Sequence, residues 1–66
     1  MSNQDLRSMI EAALDDELKA VHEYSEIARL LDDYPTLQAL VYSIIGDEYG
    51  HARTFTVLLA LYSAYS

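Results

Sequence analysis

A single proline divides the chain into two long stretches that both favour helix. The run Asp32-Asp33-Tyr34-Pro35 separates them, and no Gly or Pro occurs between Leu6 and Leu31. A proline disfavours helix at the residue before it and suits the first turn of the next helix. We therefore predict one helix from about Leu6 to Leu31, capped by Ser2 or Asn3, and a second from about Pro35 to near Tyr62.

Apolar residues recur at spacings of three and four in both stretches, which is the pattern of helices with one buried face. The first stripe is Leu6, Ile10, Ala13, Leu14, Val21, Tyr24, Ala28 and Leu31; the second is Leu37, Val41, Ile44, Ile45, Ala52, Phe55, Leu59 and Tyr62. Because the linker is short, the helices should be antiparallel neighbours. Two helices cannot enclose a core. The predicted fold class is all-α, with residues 1–66 forming one domain, a two-helix antiparallel hairpin that dimerises into a four-helix bundle.

Length and charge narrow the classes of function. The chain has 66 residues, no cysteine and a net charge of −7. So short a chain usually needs disulfides, a metal or a partner chain for stability, and here only the last two are available. The acidic balance argues against a nucleic-acid partner. The run from Thr54 to Ser66 is too short to span a membrane, and the first residues lack the pattern of a secretory signal, so we expect a cytoplasmic or compartment-enclosed protein.

Two glutamates occupy positions where the apolar stripes should be uninterrupted. With residues placed about 100° apart, Glu17 is central in the first stripe and Glu48 in the second, with His51 beside it. Burying a bare carboxylate is costly, so these positions need a compensating partner. One alternative is a buried salt bridge, for example with Arg53, or a solvated seam between the helices.

Metal binding is the interpretation that we favour. Four-helix di-iron proteins take one Glu from each of two helices and a Glu-x-x-His from each of the other two. This chain carries half of that set, in Glu17 and in Glu48 with His51. A twofold dimer would therefore assemble four carboxylates and two imidazoles, a donor set that suits iron or manganese.

Three segments carry a resemblance to a known family. They are Asp16-Glu17-Leu18-Lys19-Ala20-Val21-x-x-Tyr24, Tyr34-Pro35-x-Leu37 and Asp47-Glu48-x-x-His51-Ala52. Together they resemble the encapsulated ferritins, and the pieces Glu-x-x-Ala-x-x-x-Tyr and Glu-x-x-His-Ala are shared with the wider ferritin-like superfamily, including rubrerythrins. The resemblance covers roughly Asp15 to Leu61.

This resemblance implies a ferritin-like bundle that acts as a ferroxidase, oxidising Fe(II) with dioxygen or peroxide for iron storage or detoxification. Glu17, Glu48 and His51 would be the catalytic ligands of a di-iron centre shared between two chains, with Mn or Zn as other possible metals. Tyr24 would lie next to the ligands, and Asp16 would attract incoming metal, although Lys19 stands where the family has a second acid.

The resemblance also bears on partners. It implies a homodimer or a higher even-numbered oligomer, and it makes an encapsulin nanocompartment a candidate location and partner. The family's cargo-targeting tail has no counterpart in these residues. Two other hypotheses remain open: a non-catalytic helical assembly module stapled by zinc or manganese, and an interaction protein without metal.

Overall fold

The chain folds as an antiparallel pair of helices. The computed structural model describes residues 3–65 and comprises α1 (Asn3–Leu30) and α2 (Pro35–Tyr65). The prediction of an all-α helical hairpin is confirmed. The proposed cap at Ser2 lies outside the described residues. Helix α2 continues to Tyr65, past the predicted end near Tyr62, because no Gly or Pro interrupts the chain there.

Hydrogen bonds across the turn fix how the second helix leaves the first. The Leu31 amide donates to the carbonyl oxygens of Ile27 and Ala28, each at 3.1 Å, and closes α1. The Gln38 amide donates to the Tyr34 carbonyl at 2.9 Å at the start of α2. Gln38 also donates its side-chain Nε2–H to the Ala28 carbonyl at 2.9 Å. That bond satisfies a carbonyl at the end of α1 and ties the two helices together.

The core is small and lies along one side of the two apolar stripes. Among residues 5–64, the buried hydrophobic residues are Ile10, Val21, Ala28, Ile45 and Ala52, all of them predicted stripe positions. Three other stripe residues, Leu6, Leu37 and Ile44, are exposed in the single chain. Since a helix touches only one neighbour in a hairpin, one edge of each stripe is covered and the other is not. The result is a rod of 49 × 15 × 12 Å.

Hydropathy adds one finding about membranes. Within residues 3–65, neither helix combines the length and apolar character that a bilayer-spanning segment requires.

The valines of the chain offer a matched test of this core. Val21 is buried against Ala28 and Ile45, whereas Val57 is exposed on α2. We expect Val21→Ala to lower the free energy of unfolding by about 2 kcal/mol, because it leaves a cavity in the contact between the helices. The control Val57→Ala should change it by less than about 0.5 kcal/mol. Urea unfolding followed by circular dichroism, at one protein concentration, measures both; equal effects would contradict the proposed packing.

Candidate metal centre

The structure brings Glu17, Glu48 and His51 together midway along the hairpin. His51 Nδ1 lies 3.4 Å from Glu17 Oε2 and 3.8 Å from Glu48 Oε1. Ligand-type atoms of the three residues all lie within 4.8 Å of one another, close enough to bind one metal ion. One carboxylate therefore comes from α1, and the second carboxylate and the imidazole come from α2.

The antiparallel register explains why these residues meet. Val21 of α1 and Ile45 of α2 belong to the same buried cluster. Glu17 lies four residues before Val21, and Glu48 lies three residues after Ile45. Because the helices run in opposite directions, both steps move the same way along the rod, by roughly 5 to 6 Å. His51 follows Glu48 by three residues and so shares its face.

The three side chains differ in their access to solvent. The side chains of Glu17 and Glu48 retain 22% and 21% of their full exposure, while that of His51 retains 60%. Glu17 Oε2 is shut off from solvent and accepts no hydrogen bond. A buried oxygen of this kind normally has a partner, since leaving it without one costs about 1 to 3 kcal/mol. His51 Nδ1, 3.4 Å from this oxygen, is one possible donor within the chain.

The two carboxyl groups disfavour simultaneous ionisation. The pKa of Glu48 is raised, first because its protonated form hydrogen-bonds to Glu17, then because of desolvation and repulsion by the Glu17 charge. Asp47 raises this pKa further, and His51 opposes the shift. The site therefore has too little positive charge to balance its carboxylates. A divalent cation would reduce the repulsion between them.

The structure does not support the salt-bridge alternative. Among residues 5–64, the Lys and Arg ion pairs are Arg7 with Glu11 and Arg29 with Glu26, both on the surface of α1. Arg53 is exposed on α2 and takes no part in the ion pairs of Glu17 or Glu48. Among the described residues, His51 is the only side chain at the site that carries a positive charge, and only when it is protonated.

The other predicted site residues lie outside the three-residue group. Tyr24 is half-buried and packs against the cluster of Val21, Ala28 and Ile45. Asp16 is exposed beside Glu17 in the sequence. Asp47, to which the sequence motif gives no role of its own, raises the pKa of Glu48 through its negative charge. Its position next to Glu48 in the chain was the signal available.

The donor set fits a divalent metal. Carboxylate oxygens and one imidazole nitrogen suit iron, manganese or zinc, and the chain has no cysteine thiolate. Three protein ligands from one chain leave coordination positions open. Comparison with protein-family models, with curated proteins and with solved structures gives no match for this chain. The resemblance to encapsulated ferritins therefore rests on the motifs that carry Glu17, Glu48 and His51.

The raised pKa of Glu48 predicts how acidity affects the metal-free protein. A carboxyl group whose pKa is higher in the folded chain than the ordinary 4.5 binds its proton more tightly when folded. Its contribution to stability is complete below pH 4.5 and is lost as the pH rises through the raised value. We therefore expect Glu48→Gln to raise the melting temperature at pH 7 in the presence of a chelator. That gain should shrink as the pH falls towards 4.5.

Thermal melts of the two proteins across this pH range measure the difference directly. Other carboxyl groups titrate in both proteins, so subtracting the two curves isolates Glu48. A gain that grows on acidification would contradict the proposed interaction between Glu17 and Glu48.

Proposed function

We propose that this protein is a ferroxidase that oxidises Fe(II) to Fe(III) at a di-iron centre completed by a second copy of the chain. The observation that supports the proposal most is the convergence of Glu17, Glu48 and His51 on one point of otherwise apolar stripes. The buried oxygen of Glu17, which has no hydrogen-bond donor, is a natural ligand atom. The motif resemblance to encapsulated ferritins adds the choice of iron.

Charge supports a centre with two metal ions. Two chains would contribute four carboxylates from Glu17 and Glu48, and two Fe(II) ions would neutralise them. Four unpaired carboxylates would otherwise be costly in a contact lined by apolar side chains. His51 of each chain would add one neutral nitrogen ligand without further negative charge.

The reaction balances with Fe(II), with dioxygen or peroxide as the oxidant, and with protons taken from solution. Two Fe(II) ions give up one electron each, and dioxygen takes both electrons with two protons and leaves as hydrogen peroxide. If peroxide is the oxidant, the same two electrons and two protons convert it to two waters. The carboxylates of Glu17 and Glu48 favour the product, because they interact more strongly with Fe(III) than with Fe(II).

Residues around the centre have supporting roles in this proposal. The net charge of −7 attracts Fe(II) to the protein, and exposed Asp16 offers a first contact near Glu17. Tyr24 packs against the buried cluster of Val21, Ala28 and Ile45 and would help to hold this part of α1 in position. A bundle of two hairpins encloses no room for mineral. Iron storage would therefore need a shell such as an encapsulin, whereas detoxification in the cytoplasm would not.

The alternative function is a helical assembly module stapled by a metal. The observation that favours it is the donor set itself, since two carboxylates and an imidazole also suit zinc or manganese. If the metal only holds the assembly together, zinc should raise the melting temperature of the protein. The protein should then oxidise Fe(II) no faster than buffer alone. An interaction protein without metal would show neither effect.

Glutamine substitutions test the ferroxidase at two glutamates of the same chain. Glu48→Gln keeps the size of the side chain and removes the charged ligand. We expect it to lower the rate of Fe(II) oxidation by about a hundredfold or more, to the rate of protein-free solution. The control is Glu26→Gln, which removes only an exposed ion pair with Arg29 and should retain the parental rate.

Oxygen consumption and the Fe(III) absorbance band, recorded together after mixing with Fe(II) in air, measure this rate. Parental activity in Glu48→Gln would rule out the proposed centre. Equal loss in both variants would indicate that general acidity, and not this site, governs oxidation.

A further inference from the structure

The part of α2 that carries metal ligands lies between two buried residues and contains no buried residue itself. Ile45 and Ala52 are buried, whereas the residues between them are exposed or half-buried. We call this stretch, residues 46–51, the yielding segment. It contains Glu48 and His51, which are the two ligands that α2 supplies. A stretch with few buried apolar contacts opens more readily than the helix on either side of it.

Both glycines of the chain, Gly46 and Gly50, lie in the yielding segment. Neither has a positive φ angle, and a Cβ atom added at either would come within 4 Å of nothing beyond its chain neighbours and the adjoining helix backbone. The backbone conformation and the packing of the hairpin therefore do not require glycine here. Each glycine makes the helix about fivefold less favourable than alanine would at the same position. Together they weaken α2 beside its ligands by about 25-fold.

Two threonine hydroxyl groups lie at and beyond the end of this segment and bond to carbonyl oxygens of α2. Thr54 Oγ1 donates to the Gly50 carbonyl at 3.0 Å, and Thr56 Oγ1 donates to the Ala52 carbonyl at 2.9 Å. Such bonds compete with the regular helix bonds to the same oxygens and often bend a helix. If the amide bond to the Gly50 carbonyl breaks, the Thr54 hydroxyl still satisfies that oxygen. The hydroxyl therefore lowers the cost of opening the segment.

The matching part of α1 has the opposite character. Glu17 is followed by Leu18, Lys19 and Ala20, which are among the residues that favour helix most. The sequence of α1 (Asn3–Leu30) contains no glycine. Local opening is therefore favoured in α2 over α1, and it moves two of the ligands relative to the third.

Access of a metal ion to Glu17 requires movement of this kind. Glu17 Oε2 is shut off from solvent, and His51 Nδ1 lies 3.4 Å from it. Glu48 also lies against Glu17, to which it hydrogen-bonds when protonated. An ion that binds both carboxylates must come between them. The two groups that have to move aside, Glu48 and His51, both belong to the yielding segment.

We propose that the yielding segment is the gate of the metal site, which opens locally to let a divalent ion reach or leave Glu17 while α1 stays folded. The inference rests on the proposed function for one point, that a metal binds Glu17, Glu48 and His51, and it does not depend on iron oxidation. The rates of metal entry and release follow the population of the open segment, which the glycines raise. The affinity changes little, because alanine favours the helix equally with and without the metal.

Two variants test the role of the glycines. Gly46→Ala/Gly50→Ala, the double variant, removes both, and the space around each accepts a methyl group. The relocated-glycine variant adds Ala39→Gly and Ala60→Gly to these changes, at two exposed positions of α2 outside the segment. It therefore has the composition of the parent and about the same overall helix propensity. A difference between it and the parent reports on where the glycines lie.

Hydrogen exchange of the metal-free chain, followed for each amide by NMR, measures opening of the segment. The relevant amides are those of residues 50–54, which donate to the carbonyls of residues 46–50 in a regular helix. We expect them to exchange about tenfold more slowly in the relocated-glycine variant than in the parent. Equal exchange rates in the two proteins would overturn the proposal. The double variant supplies the same comparison if the relocated-glycine variant loses its helical circular dichroism.

Zinc release measures passage through the gate. Zinc-loaded protein is mixed with an excess of a coloured chelator, and competition with the same chelator at equilibrium gives the dissociation constant. We expect both variants to release zinc about tenfold more slowly than the parent, with dissociation constants within about threefold of the parental value. Release at the parental rate, or slower release that tighter binding fully explains, would show that the segment is not the gate.

Sedimentation velocity tests the other use of two glycines on the outer side of a helix, which is close approach by another helix. We expect the parent and both variants to sediment alike under the conditions of the zinc experiment. Association that the parent shows and both variants lose would assign the glycines to a contact between chains and would contradict the proposal.

These results separate the gate from the ferroxidase. A parent that oxidises Fe(II) at its normal rate, with variants that release zinc as fast as it does, would retain the proposed function and lose this inference. Slower zinc release in variants of a parent that does not oxidise Fe(II) would do the reverse. A parent that binds neither zinc nor Fe(II) would overturn both.

Discussion

The closeness of two carboxyl groups within an apolar stripe is the constraint on which the rest of this structure depends. Glu17 and Glu48 come from different helices and lie next to each other with little solvent, and the pKa of Glu48 is raised as a result. His51 lies within ion-pair distance of Glu17 and is able to offer positive charge, but its side chain is mostly exposed. An apolar pair at these positions would avoid this electrostatic cost in the hairpin. A positively charged ligand would remove this cost, which is the reason that we propose a metal at these positions.

In our proposal, a second copy of the chain would complete both the core of the hairpin and its metal site. Five residues are buried along one edge of the stripes, while Ile44 and other apolar residues on the opposite edge are exposed. Three donors are gathered from one chain, which is half of the set that a carboxylate-bridged metal pair requires. The exposed apolar residues and the open side of the three donors both lie on the same side of Glu17 and Glu48. A second copy on that side would resolve them together, which links the proposed assembly to the proposed chemistry.

Much of this arrangement could be predicted from the sequence, and the exceptions have physical causes. Pro35 and the spacing of apolar residues predicted the hairpin, and the central positions of Glu17 and Glu48 predicted that they would meet. The sequence did not distinguish which edge of each stripe is covered, because a stripe centred on Glu48 includes buried Ile45 and exposed Ile44 alike. That choice depends on how the two helices pack against each other. The periodicity of a single helix carries no information about this packing.

The most direct test of the central claim is native mass spectrometry of the metal-free protein titrated with Fe(II) without oxygen. The account predicts even-numbered assemblies that take up two irons for each pair of chains, in which Glu17, Glu48 and His51 of both chains are ligands. The same titration with Glu48→Gln should show no stoichiometric iron. Single chains that bind iron without pairing, or pairs that remain free of metal at saturating Fe(II), would contradict the account.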